Sequence, residues 1–460
     1  MNKKFFLLFL IILPLNATRE LHWDWSTIDP TAIYFPPYFY WGTADSALQT
    51  EGIVTANNKT ISNSWTEYET QQNAASYGQD RVGVACERWT RYKEDIQRMK
   101  ECGMNMHRFS VEWAKIEPEE NVFDENALQH YEDVVDELIA NGITPMITLF
   151  HHTYPLWFAK KGGFEHEANM YAFKDFALKV FNRLHEKIPY WIIFNEPVGY
   201  ALEGYHTGNY PPGKKSLGLA GKVALNQLNA HVMIAREFKR INANTKVGLS
   251  TIFNPLDAYH KWNFLERAAA KAFDHIVNDL TIKFFKTGKF NWLYLKRHHN
   301  VLAPGTLDFI GINYYTHTMI KQTGLFSMTA SNRPDEVIID KPSKGRGCKV
   351  LYPEGLYRSI CYAAKLGIPI FITENGAATE NVELREEYIK KHLFVLSKAI
   401  AEGYPIHGYL FWTLTDCFAW RKGYTNKHGI YAVDFTTQER TFKPSAQYLI
   451  DTIQKFSNNH

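Results

Sequence analysis

The sequence predicts an α/β fold, a single (β/α)8 TIM barrel, on two observations. Eight short runs of apolar, β-branched or aromatic residues recur along the 460 residues, and helical patterns lie between several of them. Because these runs are apolar on both faces, they are typical of parallel strands that are buried on both sides. Eight such strands favour a closed barrel, which places the residues that carry chemistry at the C-terminal ends of the strands.

The predicted strands are spread over nearly the whole chain. They are Tyr38–Thr43, Met104–Phe109, Thr144–Phe150, Tyr190–Asn195, Val247–Ile252, Leu307–Ile312, Ile370–Glu374 and Gly408–Trp412. The clearest helical patterns are Glu87–Cys102 and Leu128–Ala140, each with a glycine shortly after it as a stop signal. No low-complexity linker divides the chain, so we predict one barrel domain over residues 38–460, with a lead-in over residues 18–37.

The composition is that of an ordinary globular protein and excludes several classes. Hydrophobic residues make up 45% and charged residues 22%, which excludes a disordered, collagen-like or coiled-coil chain. The formal charge of +3 gives no electrostatic case for binding nucleic acid. The five cysteines show no CxxC pattern, so we expect buried thiols, with one disulfide left open. They are Cys86, Cys102, Cys348, Cys361 and Cys417.

The N-terminus has the layout of a secretory signal peptide. Lys3 and Lys4 precede the apolar run Phe5–Ile12, and residues 15–17 fit a small-residue cleavage site imperfectly. We therefore expect residues 1–17 to be removed and the protein to be exported, outside the cell or to a periplasm. The alternatives are an uncleaved membrane anchor, or a misassigned start, in which case the protein is cytoplasmic. No later stretch has 18 consecutive apolar residues, so no stable membrane insertion is expected once the signal is removed.

Two of the predicted strands end in a glutamate with an asparagine beside it. Glu196 follows Asn195, and Glu374 precedes Asn375. Glycoside hydrolysis needs two carboxyl groups at one site, because one must protonate the departing oxygen while the other, ionised, attacks the anomeric carbon. Either glutamate alone would be read as an ordinary charge at a strand end. Their matching contexts favour a catalytic pair.

The chain resembles glycoside hydrolase family 1, the group of β-glucosidases, β-galactosidases and phospho-β-glycosidases. The resemblance runs from about residue 38 to about residue 449, and eight motifs in the family's order carry it. They are YWGTADSALQTEG (40–52), HRFSVEWAKIEPEE (107–120), ITLFHHTYPLWF (147–158), WIIFNEP (191–197), LDFIGINYYT (307–316), YPEGL (352–356), FITENG (371–376) and GYLFWTLTDCFAWRKGY (408–424). It implies a single (β/α)8 barrel, in agreement with the strand count.

The resemblance also implies roles for individual residues in a retaining mechanism. Glu196 is implied as the general acid/base and Glu374 as the nucleophile. Arg108 would keep that nucleophile ionised, Tyr315 would hold it by a hydrogen bond, and Asn313 would support the same region. The implied sugar-binding residues are Gln49, His151, Asn195, Trp412 and Trp420. No metal or organic cofactor is implied, the expected partner is a small-molecule or oligosaccharide β-glycoside, and the oligomeric state stays open.

The chain departs from the family pattern where the sugar 4- and 6-hydroxyls are expected. Ala419 replaces the glutamate that normally accepts bonds from them, and a methyl group accepts none. Phospho-β-glycosidases also lack this glutamate, but their Lys and Tyr for the 6-phosphate correspond here to Asn426 and His428. We therefore expect broad hydrolysis of β-glucosides, β-fucosides and β-galactosides, with 6-phosphoglycosides as an alternative.

Other departures make the predicted pocket more polar. His152 replaces the aromatic residue that usually follows the site histidine, and Lys349 replaces a Trp platform for the aglycone. Thr323–Gly347 is the longest irregular stretch expected, and its basic residues indicate either a solvated loop or an aglycone region that tolerates acidic or polar groups. These basic residues are Arg333, Lys341, Lys344 and Arg346.

The motifs leave three functions open. The first is a retaining exo-β-glycosidase, and the second is a transglycosidase that passes the sugar to an alcohol instead of water. The third is a noncatalytic sugar-binding relative, which the presence of both Glu196 and Glu374 argues against.

Overall fold

Eight parallel strands close into a barrel in the computed structural model of the protein. The structure describes residues 20–54, 59–71, 80–293, 295–324, 327–340 and 348–457, so the predicted signal peptide lies outside the described residues. The strands follow one another around the barrel in chain order. They are β1 (Tyr40–Ala44), β2 (Met106–Ser110), β3 (Thr144–Phe150), β4 (Tyr190–Asn195), β5 (Lys246–Phe253), β6 (Phe309–Tyr314), β7 (Ile370–Asn375) and β8 (Ile406–Trp412).

Each of the eight predicted runs forms one of these strands, and the bounds differ by at most two residues. The first strand begins at Tyr40 instead of Tyr38, because the Tyr38 side chain is exposed and does not enter the barrel. The last strand begins two residues earlier than predicted, at Ile406, which is buried although a polar histidine follows it. The predictions of a closed barrel and of an α/β class are confirmed.

Helices lie between the strands and cover the outside of the barrel. They are α1 (Ala47–Glu51), α2 (Ser64–Gln71), α3 (Arg88–Glu101), α4 (Trp113–Ile116), α5 (Glu125–Ala140), α6 (Leu156–Lys160), α7 (Asn169–Leu184), α8 (Pro197–Leu202), α9 (Leu217–Ile241), α10 (Phe264–Asp274), α11 (Leu280–Thr287), α12 (Pro353–Ala363), α13 (Val382–Ala401) and α14 (Gln447–Ser457). Helix α5 begins three residues before the predicted Leu128, because the Asp124 carboxylate accepts hydrogen bonds from the backbone N–H groups of Asn126 (2.9 Å) and Ala127 (3.1 Å).

The barrel interior is a packed core of side chains from nearly every strand. Ala44, Met106, Met146, Ile192, Phe309, Phe371, Leu410 and Trp412 form it. Gly248 of β5 makes room in this layer, since a Cβ atom there would lie 2.5 Å from the Phe309 ring. Because side chains fill the interior, a ligand can enter only from the ends of the barrel.

The stretch Thr323–Gly347 is not irregular, so that prediction was wrong for its described part. Thr318–Gly324 pairs in antiparallel fashion with Ser327–Ser331, and Ile338–Asp340 pairs with Lys349–Val350. These strands are short, and neither Ser327–Ser331 (SMTAS) nor Ile338–Asp340 (IID) has an apolar run as long as those by which the barrel strands were recognised. Of the four basic residues predicted there, Lys341, Lys344 and Arg346 lie outside the described residues.

The lead-in is attached to the barrel by buried polar contacts. The Glu354 carboxylate accepts hydrogen bonds from the Trp23 backbone N–H (2.9 Å) and the Trp25 indole N–H (3.0 Å). Arg333 forms an ion pair with Glu20 and donates to the backbone oxygens of Ala258 (2.9 Å) and Tyr259 (3.2 Å). Arg333 therefore anchors the lead-in and is neither the solvated side chain nor the aglycone contact that the sequence indicated. The predicted division at residue 38 stays a prediction.

Candidate active site

Glu196 lies directly after β4 in a left-handed backbone conformation, with φ 48° and ψ 55°. The pairing register between β4 and β5 shifts between Ile192 and Asn195, just before this residue. The Glu196 backbone N–H donates to the Ser250 oxygen of β5 (2.8 Å), and Pro197 begins α8. A left-handed φ costs a non-glycine residue conformational energy. This sharp turn directs the carboxylate across the mouth of the barrel, the open end at which the C-terminal ends of the strands meet.

Glu374 lies within β7, opposite Asn313 of β6, and a second register shift precedes it. Its side chain is buried and both carboxylate oxygens have donors. Arg108 Nη1 donates to Oε1 at 2.7 Å, and the Tyr315 hydroxyl donates to Oε2 at 2.7 Å. The predicted contacts of Arg108 and Tyr315 with Glu374 are therefore present in the structure.

Arg108 is fully buried and held from several strands at once. Its Nη2 donates to Asn195 Oδ1 (2.7 Å), its Nε donates to Thr148 Oγ1 (3.1 Å), and its Nη1 also donates to the Thr373 backbone oxygen (3.2 Å). These bonds fix the guanidinium before any substrate binds. Removing either partner of this buried ion pair would leave an uncompensated charge, which is costly.

Asn313 connects the segments that carry the two glutamates. Its Nδ2 donates to Glu196 Oε1 (2.8 Å) and to Asn195 Oδ1 (3.0 Å). Its Oδ1 accepts from the Thr373 hydroxyl (2.8 Å), which in turn accepts from the Ser250 hydroxyl (3.0 Å). The amide is thereby oriented by its surroundings. Thr373 and Ser250 lie in strand interiors, and the sequence analysis missed them because it considered only the strand ends.

Tyr315 remains a hydrogen-bond donor over the whole physiological pH range. Burial raises the pKa of its phenol well above the ordinary value, and the Glu374 carboxylate raises it further. Ionisation would place a second negative charge beside the carboxylate in a buried site. The protonated hydroxyl can therefore orient Glu374 without competing with it for a proton.

His151 and Gln49 lie in the same mouth. Asn195 Nδ2 donates to His151 Nε2 at 3.0 Å. Burial, with the charges of His152 and Arg108, holds the pKa of His151 well below its usual value, so the ring is neutral and carries its proton on Nδ1. Gln49 accepts from the Ser46 hydroxyl (2.8 Å) and donates to the Phe418 backbone oxygen (2.6 Å), next to Ala419.

Aromatic rings line the remaining wall of the mouth. The His151 ring lies 5.9 Å from Trp412 and 6.2 Å from Trp420. Tyr210, which the sequence analysis missed, packs 5.9 Å from Trp420 and 5.6 Å from His152. Burial raises the pKa of Tyr210, and the carboxylates of Glu196 and Glu374 raise it further. Tyr210 lies in a long loop away from any strand end, so no position rule pointed to it.

Basic side chains lie on the Tyr315 side of the mouth. The Lys349 ammonium lies over the Tyr315 ring, 4.3 Å from its centroid, and the His428 ring lies 6.0 Å from the same ring. Lys422 forms a 2.8 Å ion pair with Asp340. Asp340 was also missed, because it comes from a segment expected to be irregular.

Other features of the chain add no further chemistry to this mouth. The five cysteine thiols are free, and Cys86, Cys102 and Cys417 are buried. Within the described ranges, no group of three or more His, Cys, Asp or Glu side chains is placed to hold a metal ion. None of the helices that the structure describes is long and apolar enough to cross a membrane.

Comparisons with known proteins agree with this geometry. Residues 31–458 match the family model described as glycosyl hydrolase family 1. Beta-glucosidase 31 of Arabidopsis thaliana is 31% identical over 90% of this chain and 88% of that protein. Beta-glucosidase A of Thermotoga maritima is 29% identical over 91% of this chain and 98% of that protein.

Solved structures share the architecture. A beta-glycosidase from Pyrococcus horikoshii superposes with a TM-score of 0.81 at 34% identity, over 92% of this chain and 96% of that one. The Thermotoga maritima beta-glucosidase in complex with deoxynojirimycin gives a TM-score of 0.81 at 26% identity, over 93% of this chain and 100% of that one. Since the family match spans nearly all of the described chain, the protein belongs to glycosyl hydrolase family 1 and is a glycoside hydrolase.

Proposed function

We propose that the protein is a retaining exo-β-glycosidase of the β-glucosidase type. The observation that carries the proposal is the different setting of the two glutamates. Glu374 is held on both oxygens by Arg108 and Tyr315, as a nucleophile must be, while Glu196 turns into the mouth and accepts a bond from the neutral amide of Asn313. We expect the two carboxyl groups to lie about 5–5.5 Å apart, as retention requires.

The proposed reaction has two steps at the anomeric carbon. In the first, a Glu374 oxygen bonds to C1 while the bond from C1 to the aglycone oxygen breaks, and Glu196 gives its proton to that oxygen. In the second, Glu196 takes a proton from water as the water oxygen bonds to C1 and the ester to Glu374 breaks. We expect the Asn195 side chain, which is bonded to Arg108, to bind the sugar 2-hydroxyl, a contact that strengthens in the transition state.

The names of the relatives support β-glucosides as substrates, and the loss of the usual glutamate at Ala419 supports tolerance at the 4- and 6-positions. We therefore propose activity on β-glucosides, β-fucosides and β-galactosides. Transfer of the sugar to an alcohol is the second candidate, favoured by the aromatic wall of Trp420 and Tyr210, which can hold an organic acceptor. Product analysis with and without added alcohols separates the two.

Export is part of the proposal, on the basis of residues 1–17. Expression of the full chain in a secreting host, followed by N-terminal sequencing, tests it. A mature protein that begins near residue 18 in the exported fraction supports export. An uncleaved chain that stays in the cytoplasm contradicts it.

The nucleophile assignment gives the first test. In Glu374→Ala we expect turnover of nitrophenyl β-glucosides to be abolished and then restored by azide or formate, with products of inverted configuration. The small anion would occupy the vacated space and attack C1 directly, so only one inversion takes place.

Glu380→Ala is the matched control, since this glutamate follows the same strand but its side chain is 75% exposed. The control should keep wild-type activity and gain nothing from azide. A fully active Glu374→Ala, or rescue that gives the retained anomer, would contradict the assignment.

A further inference from the structure

Two nitrogen-bearing side chains, Lys349 and His428, lie against Tyr315 on one side of the mouth. The Lys349 ammonium lies 4.3 Å from the Tyr315 ring centroid, and the His428 ring meets the same ring edge-on at 6.0 Å. Since the Tyr315 hydroxyl bonds directly to Glu374, both groups lie next to the place where the sugar ring must sit.

The two oxygens of Glu374 identify which part of the sugar this side faces. Oε1 is bound by Arg108, which also binds Asn195, whereas Oε2 is bound by Tyr315. An attacked anomeric carbon has two ring neighbours, C2 on one side and the ring oxygen on the other. With Asn195 on the 2-hydroxyl, as the proposed function has it, the Tyr315 side faces the ring oxygen, C5 and the substituent on C5, which is carbon 6.

Cations dominate the surroundings of His428. Burial, together with four nearby cations, holds the pKa of His428 well below its usual value. These cations are Lys349, Arg385, Lys443 and Lys422. Lys422 is paired with Asp340 (2.8 Å) and Lys443 with Asp416 (2.6 Å), while Arg385 donates to the backbone oxygens of His428 and Gly429.

His428 is itself a buried polar group that points to a ligand. Its side chain is 6% exposed, and its Nδ1 makes no hydrogen bond to any residue that the structure describes. A buried polar atom without a partner is costly, and it is commonly satisfied when a ligand or water binds. The His428 ring is neutral, so it can hydrogen-bond to a polar substituent of the sugar without adding a positive charge to the site.

We infer that this end of the site binds a carboxylate on carbon 6, so that β-D-hexuronides, such as β-glucuronides and β-galacturonides, are the preferred substrates. The inference rests on the proposed function and names its substrate class. Lys349 would supply the charge and His428 a neutral polar contact. Ala419 is consistent with this, because a glutamate at that position would repel the carboxylate.

A sulfate or phosphate ester on O6 shares the chemistry of an anion at this end of the sugar. The position of Lys349 favours the carboxylate, because its ammonium lies against the tyrosine that holds the nucleophile, close to the sugar ring. An ester would carry its charge two bonds further from C5 than a carboxylate does.

The test compares kcat/KM for 4-nitrophenyl β-D-glucuronide, β-D-galacturonide, β-D-glucoside, glucoside 6-sulfate and glucoside 6-phosphate. A β-glucoside of 4-hydroxybenzoic acid tests whether the charge serves the aglycone instead. The variants are Lys349→Met and Ala419→Glu. The control is Lys427→Met, which removes an ammonium from the loop that carries His428; this ammonium lies 3.7 Å from the Glu380 carboxylate. Binding of free D-glucuronate and D-glucose by calorimetry gives a readout that does not depend on turnover.

We expect wild type to prefer the glucuronide over the glucoside by about tenfold or more, the scale of one charge-assisted hydrogen bond. Lys349→Met and Ala419→Glu should lower that ratio by a similar factor and weaken glucuronate binding, and Lys427→Met should change neither. The inference is overturned if the glucoside is hydrolysed but the ratio does not fall in Lys349→Met. It is also overturned if only an ester or the benzoate aglycone responds. Failure to hydrolyse any neutral or acidic glycoside would instead contradict the proposed function.

Discussion

The two glutamates differ in how much their surroundings hold them. Arg108 and Tyr315 bond both oxygens of Glu374, whereas Glu196 accepts a bond from the neutral amide of Asn313. A nucleophile must stay ionised and aligned, so two fixed donors suit it. A general acid must exchange a proton in each half of the reaction, and the neutral amide of Asn313 leaves the Glu196 carboxyl able to carry that proton.

The proposed acid role of Glu196 leads to a prediction about leaving groups. In Glu196→Ala, hydrolysis of alkyl β-glycosides should fall by about 10²–10⁴-fold, the usual contribution of general acid catalysis. Activated nitrophenyl glycosides should lose much less in their first step, because their departing oxygen needs no proton. The measurement is kcat/KM across a series of aryl and alkyl leaving groups. Equal losses along the series would count against the role.

The Tyr315 hydroxyl can be tested apart from its ring. Tyr315→Phe removes the 2.7 Å bond to Glu374 but keeps the aromatic face under Lys349. A hydrogen bond to a charged group is worth about 1.5–3 kcal/mol, so kcat/KM should fall by about tenfold to a hundredfold. Uronide and neutral substrates should lose equally, since the cation stays in place. A selective loss of the uronide would mean that the hydroxyl contacts the substrate.

At the scale of elements, helix α5 depends on a cap that the apolar pattern did not show. Asp124 satisfies the N–H groups of Asn126 and Ala127 and so adds a first turn before Leu128. The pattern begins only where the helix packs on the barrel. Its solvated first turn follows from local hydrogen bonding instead.

This cap should make a measurable contribution to the stability of the fold. Asp124→Ala should lower the free energy of unfolding by about 1 kcal/mol, the typical value of an N-cap. Asp133→Ala is the matched control, because Asp133 is exposed in the same helix and bonds only to Gln129 among the contacts described (2.8 Å). Urea unfolding of both variants checks the prediction. Equal losses of stability in the two variants would show that removal of a negative charge, and not removal of the cap, causes the effect.

At the scale of the whole molecule, a buried ionic cluster joins the lead-in to the loops beside the mouth. His317 Nε2 lies 2.7 Å from Glu336, and its Nδ1 lies 3.8 Å from Asp257, which Arg358 also binds. Burial alone would lower the pKa of His317, but these two carboxylates outweigh it and raise the pKa above the usual value. The pKa values of Asp257 and Glu336 are lowered by the same contacts, against their own burial.

These shifts predict how stability depends on pH. A raised histidine pKa stabilises the fold fully below about pH 6.5, the unfolded value, and this contribution is lost as the pH rises through the folded pKa. The lowered carboxylate pKa values act above about pH 4 and are lost on further acidification. Thermal unfolding of wild type and His317→Asn should therefore differ most between these limits. A difference in Tm that grows above pH 7 would contradict the assignment.

Most of the barrel could be predicted because buried parallel strands are continuous apolar runs. Tyr190–Asn195 and Thr144–Phe150 were predicted with their observed bounds, since both strands end where polar residues reach the mouth. The paired strands Ser327–Ser331 and Ile338–Asp340 could not be predicted in this way. They lie outside the barrel and are too short and too exposed to carry the long apolar run of a buried strand.

The residues of the candidate site likewise divide into those that could be predicted from the sequence and those that could not. Residues at strand ends, such as Glu196, Glu374 and Asn313, were predictable because the barrel brings all strand ends to one mouth. Tyr210 lies in a loop and Asp340 in a short strand outside the barrel. The course of both segments depends on packing between distant parts of the chain, which leaves no local pattern. Arg333 shows the converse, because a basic residue in the right loop is used to anchor the lead-in.

Arg108 gives the two halves of the sugar site different freedom to change. One guanidinium binds both the Asn195 amide and the Glu374 carboxylate, so a substitution that alters the C2 side also disturbs the nucleophile. Lys349, Lys422 and Ala419 lie outside the barrel strands, and the Lys349 ammonium lies over the face of Tyr315. Substitutions on the side of Arg108 and Asn195 are therefore constrained by catalysis, whereas those on the side of Lys349, Lys422 and Ala419 are not. New sugar preferences can evolve by substitution on this second side while turnover is retained.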